Sequence, residues 1–141
     1  MFWNKEKPMT EELTARSLHC QNEAEQLYRS GSHHCAEAVL ESVRKHYAAE
    51  LPASIVGAVS GFGGGSGVGC LCGAVAGGAV ALGMVVGDKK KTSALTKDLH
   101  VWFKEKYGVT CCKTIKQTHR GACPTLTGEV AGKVGEMLSH L

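Results

Sequence analysis

Several features are missing from this sequence, and each absence removes a class of function. No stretch alternates apolar and polar residues with β-branched enrichment, so no strand is expected. The start, MFWNKEKPMTEEL, is crossed by charges and lacks the apolar core of a signal peptide. With an odd number of cysteines, that start predicts a reducing, cytoplasmic compartment, in which clustered thiols are metal ligands or redox groups more often than staples. Charge of one sign is also lacking, since 16 basic residues face 13 acidic ones for a net +3. No nucleic-acid partner is expected from so mild a balance, and Lys89–Lys91 reads as the solvated start of a helix. Neither GxSxG nor a recognisable Glu/Asp pair points to a hydrolase. Neither GxxxxGK[ST] nor GxGxxG is present to cradle a phosphate. There is no CxxC, and without CxxCH a covalent c-type haem is not expected. No internal repeat appears, and no low-complexity segment outside one glycine loop.

What is abundant is glycine, with 18 residues, and cysteine, with seven, in a chain of 141. This length suits one domain with a real core, so a loose leader over 1–8 and a single helical domain over 9–141 are expected. Most of the glycines lie in the uncharged run from Ile55 to Gly87. The glycines from Gly61 to Gly69 cannot form a stable helix interior, whereas CGAVAGGAVALG suits a tightly packed one. The run therefore reads as a glycine loop feeding a buried central helix, with Cys72 at the junction. The dipole and free N–H groups of that junction predict a thiolate at Cys72; the alternative is a small buried hydrophobe. Gly67 to Gly87 is uncharged, holds the GxxxG pair Gly73 and Gly77, and is followed by Asp88 and three lysines. Length and flank fit a membrane span, but its glycine content favours close protein contact, and we read a core helix.

In chain order, Leu13, Ser17, Cys20, Ala24 and Leu27 place a first helix from Thr10 to about Arg29, ended by Gly31. Ser32 is the expected N-cap of a second, with His33, His34 and Cys35 in its first turn and Ala36, Val39, Leu40, Val43 and Tyr47 on its apolar face. Pro52 suits the first turn of a short helix through Ile55, Val56 and Val59. After the central helix, Ser93 is the expected cap of one that buries Leu95, Leu99, Trp102 and Phe103 and stops at Gly108. Val109 to Ala122 reads as irregular. Pro124 or Thr125 opens a last helix with Leu126, Val130, Val134, Met137, Leu138 and Leu141 inward. The fold class is all-α, a single compact domain of five or six helices around the Gly/Ala-rich one.

Cys35, Cys72 and Cys123 thus each fall at a helix start, and their convergence would stabilise thiolates for redox exchange or soft-metal ligation. Scattered core thiols are the competing reading. The CxC of Cys70 and Cys72 can share a ligand only if Cys70 is in a loop. A vicinal Cys111–Cys112 disulfide needs strained geometry, so one of the two should face the site. His33, His34 and His119 lie near these cysteines, but we read them as surface histidines near helix ends.

HCAEAVL at 34–40, GFGGGSGVGCLCGAVAGGAVALG at 61–83, GVTCCKTI at 108–115 and GACPTLTGEVAGKVGEML at 121–138 together resemble a bacterial and archaeal family described as redox-active. That family is named for its C, GCAxxG, C, C cysteine pattern. The resemblance runs from about residue 20 to the end. Carried over by motif, the family's cysteines fall on Cys35, Cys72, Cys112 and Cys123, with Cys111 the other choice for the third. Cys20 and Cys70 match no family position and are read as structural. The resemblance implies a redox-active or cofactor-binding helical protein and no established reaction. Cys35, Cys72, Cys112 and Cys123 are then the expected catalytic or metal-ligating set, cycling between dithiol and disulfide or holding an iron–sulfur cluster or other metal. Gly63, Gly64, Gly65 and Gly73 would bring N–H donors to sulfur or cofactor. Two other classes stay open: a module stabilised by redox-inert zinc, and a membrane-associated partner of a transporter. A redox partner is implied, and a glycine-lined helix suits packing against a second copy, so a homodimer is a further expectation.

Overall fold

A computed structural model describes residues 10–141, and the expected leader over 1–8 lies outside them. Six α-helices follow one another: α1 (Thr10–Arg29), α2 (Cys35–Tyr47), α3 (Gly73–Val86), α4 (Lys89–Tyr107), α5 (Cys112–Thr118) and α6 (Cys123–Ser139). A 3-10 segment, Ala53–Phe62, and a π-type turn, Gly65–Gly69, fill the interval between α2 and α3. No strand occurs among the described residues, so the protein is all-α as the sequence predicts.

Backbone contacts shorter than a side chain would permit hold the helices together. On α3, a β-carbon at Gly77 would sit 2.7 Å from the Ala36 carbonyl oxygen of α2, and one at Gly78 would meet Leu99, Val130 and Val134 of α4 and α6. On α6, Gly128 and Gly132 face Gln21 of α1 in the same way. Small residues spaced along one helix face let two axes approach closely, and here they do so inside one chain. Gly77 and Gly78 are therefore taken up by α2, α4 and α6. Around them close Val39, Leu40, Val43, Val75, Leu82, Leu99, Phe103, Val130 and Val134, all wholly buried.

The helix starts differ from the sequence reading in three places. His34, not Ser32, caps α2, because the Glu37 carboxylate accepts the His34 N–H at 3.1 Å while Ser32 is engaged with Ser30 and His33. Asp88, not Ser93, caps α4, its carboxylate accepting the Lys91 N–H at 2.8 Å. The stretch expected to be irregular contains α5, whose seven residues bury only Cys112 and Ile115, too few to show a period. One side chain leaves the expected core, Leu141, which is 66% exposed, while Trp102 packs against the core half-buried, near the ammonium groups of Lys106 and Lys133.

α1 and α2 run antiparallel. Glu23 holds Lys45 and His46 at the far end of α2, which leaves Tyr28 of α1 beside the start of α2.

Candidate thiol site

Four helices begin with a cysteine. Cys35, Cys112 and Cys123 are the first residues of α2, α5 and α6, and Cys72 is the N-cap of α3. All four line one cavity of about 50 Å³, together with Tyr28, His34, Gly64, Gly73, Lys116 and Thr127 among others. That volume holds a few waters or one small group.

Close backbone approach makes the cavity possible. A β-carbon at Gly73 would lie 2.4 Å from the Cys35 sulfur and 2.6 Å from the Phe62 carbonyl oxygen. At Gly65, φ is +64°, and a β-carbon would lie 2.8 Å from both Cys112 Cβ and the Cys70 nitrogen. Only glycine combines that dihedral with that contact. The turn is closed by the Cys70 N–H donating to the Gly65 carbonyl at 3.1 Å, and α3 is tied to the α4–α5 connection by the Cys72 N–H donating to Thr110 at 2.7 Å. Ser66 and Leu71 have φ of +61° and +54°, so two non-glycine residues are held in the left-handed region beside the cavity. Of the glycines expected to contact a cofactor, Gly64 and Gly73 line the cavity and Gly65 supports Cys112. Gly63 packs on the His34 ring, with its β-carbon position 2.9 Å from the imidazole.

The electrostatics correct the expectation of a thiolate at Cys72. Burial pushes that thiol up to about 12, reinforced by the neighbouring Cys35, while the N–H groups of Val75 and Ala74 pull less strongly the other way. Burial likewise raises Cys35, opposed first by the Ala36 N–H, and raises Cys112 despite the nearby Lys116 ammonium. The helix-end field is real, but removing sulfur from water outweighs it. At neutral pH Cys35, Cys72 and Cys112 are therefore thiols. Tyr28, beside Cys123 and Cys35, is pushed up to about 12 by burial and then by those two sulfurs.

All seven cysteines are free. Among the described residues no group of three or more His, Cys, Asp or Glu side chains could hold a metal ion. Sharing a wall is thus not the same as meeting at one point, and the donor set expected for an iron–sulfur cluster or zinc does not fit as arranged. Cys20 is a core thiol, wholly buried against Ser42 and the Ala131 carbonyl, as its lack of a family position suggests. Cys70, read as structural, is exposed. Cys111 turns away from the cavity and donates to the Gly69 carbonyl at 3.2 Å, which leaves Cys112 as the inward member of the pair.

Three cavity residues were not legible as such. His34 was read as a surface histidine, yet it lines the cavity, and its Nε2 donates to the Ser60 carbonyl at 3.0 Å. Tyr28 and Thr127 sit among ordinary helical residues with nothing to distinguish them. Thr127 is wholly buried with a hydroxyl that has no hydrogen-bond partner, and the buried His34 Nδ1 has none either. Buried polar atoms without partners are uncommon, and these two flank the same cavity.

No helix among the described residues is long and apolar enough to cross a membrane. No curated protein and no solved structure matches the chain. A family model described as "Putative redox-active protein (C_GCAxxG_C_C)" matches residues 33–137, from the start of α2 nearly to the end of α6. With four cysteines in that order and most of its length covered, the chain belongs to this redox-active family.

Proposed function

We propose that Cys35, Cys72, Cys112 and Cys123 work as one thiol/disulfide site. The observation that carries this reading is their common cavity, to which four separate helices each contribute a starting cysteine. Burial raises Cys35, Cys72 and Cys112, and neutral thiols can share a small volume where four thiolates would repel each other. Oxidation of one pair of them to a disulfide releases two electrons and two protons to an external oxidant, for which a small-molecule disulfide serves. The Tyr28 and Thr127 hydroxyls and the Lys116 ammonium provide donors to a transient thiolate.

The test is an anaerobic thiol count on reduced protein titrated against dithiothreitol couples of set ratio. Wild type should lose thiols in pairs, and Cys35→Ser, Cys72→Ser or Cys123→Ser should each alter the midpoint or the number lost. If each variant lacks only its own thiol and otherwise titrates as wild type, the shared site is wrong. Metal analysis and a visible spectrum on the same samples read out the zinc and iron–sulfur alternatives.

A further inference from the structure

Of the three thiols that neither the family pattern nor the cavity uses, Cys20 is wholly buried in the core, which leaves Cys70 and Cys111. Cys70 is exposed and Cys111 half-buried. They are forty residues apart in sequence, yet the Cys111 sulfur lies 3.2 Å from the carbonyl oxygen of Gly69, one peptide unit from the Cys70 α-carbon. Two further contacts fix the same juxtaposition. The β-carbon position of Gly65 is 2.8 Å from both the Cys70 nitrogen and Cys112 Cβ, and Cys72 N–H donates to Thr110 at 2.7 Å. The two strands of chain therefore lie side by side, with an outward thiol on each. The residues around them are open to solvent: Val68 is 73% exposed and Leu71 39%. Lys113, whose stem packs at Gly69, adds positive charge on the same side.

We infer that Cys70 and Cys111 form an outer dithiol that exchanges with the disulfide of a small acidic thiol, separately from the four-cysteine cavity. Cys111 attacks one sulfur of the incoming disulfide, forming a mixed disulfide and releasing the first thiolate. Cys70 then attacks the Cys111 sulfur, forming Cys70–Cys111 and releasing the second thiolate. Two protein thiols are oxidised and one disulfide is reduced to two thiols, with both protons accounted for. The new bond would lock the glycine turn to the α4–α5 connection. This inference goes beyond the cavity reading and stands if that reading falls.

The experiment uses the full chain and oxidised glutathione, with the products mapped by peptide mass spectrometry. Wild type should yield a Cys70–Cys111 cross-link and no lasting adduct. Cys70→Ser should trap one glutathione on Cys111, and Cys111→Ser should react at least tenfold more slowly. Cys35→Ser, run in parallel, should leave the outer cross-link unchanged, which separates this result from the cavity test. Both outer positions are near the surface, and circular dichroism checks that the variants keep their helices. A Cys111–Cys112 bond, a cross-link confined to the cavity cysteines, or a Cys111→Ser protein that reacts at the wild-type rate would overturn the inference.

Discussion

Gly73 stands where a methyl group would collide with the sulfur of Cys35 and the backbone of Phe62. Alanine there would gain helix propensity worth at most about 1 kcal/mol. The overlap, one partner of which is a carbonyl that cannot rotate away, costs about 1–3 kcal/mol. Gly73→Ala should therefore be less stable to urea, and Cys35 should be alkylated faster as it is displaced. A second residue-scale prediction concerns pH. Burial raises both Cys20 and Cys72 from 9.0 to about 12 in the folded protein. Above pH 9 the unfolded chain gives up these protons while the folded one keeps them, so the folded state binds more protons and stability falls as pH rises. Stability from these groups should be intact below pH 9 and lost progressively toward about 12, with a shallower decline in Cys72→Ala, measured by urea unfolding of reduced protein at stepped pH. The cysteines were legible from the family order of motifs. The state of their protons was not, because the sequence shows a helix start but not how far that start is buried.

Where an element begins decides what its first residue can do, and here four elements begin on sulfur. Three of those starts could be read directly: α3 from the glycine loop that ends at Cys72, α6 from Pro124, and α2 to within two residues. The fourth, α5, is a helix of about two turns whose one apolar anchor, Ile115, gives no periodicity. Asp88 and Ser93 are about equally favoured as caps by residue type, so propensity does not separate them; the contacts of Asp88 with the Lys91 N–H and of Glu37 with the His34 N–H decide the two starts. Asp88 offers a check on the element as distinct from the site. Asp88→Ala should cost about 1 kcal/mol, typical of a lost N-cap, in thermal or urea unfolding. The α4 start packs away from the cysteines, so the thiol titration of this variant should match wild type.

At the scale of the whole molecule, oxidation within the cavity would join segments that are distant in sequence. A bridge between Cys35 and Cys123 closes a loop of most of the chain, and the chain-entropy model gives about 4 kcal/mol for loops of that size. The oxidised form should therefore unfold at higher urea than the reduced form, and Cys123→Ser should abolish the difference. An all-α fold was readable because every long helix shows its period, and because nothing in the sequence alternates. The internal use of the glycine face was not, since GxxxG specifies close approach without naming the partner; α2 supplies it through Ala36.

The cavity is completed by α6, the final helix along the chain and the one against which α1 lies. During synthesis Cys35 and Cys72 leave the ribosome well before Cys123, so for that interval each thiol is solitary and open to wrong pairing. A chain truncated within α6 would lose its first helix's chief support and one wall of the cavity in the same stroke.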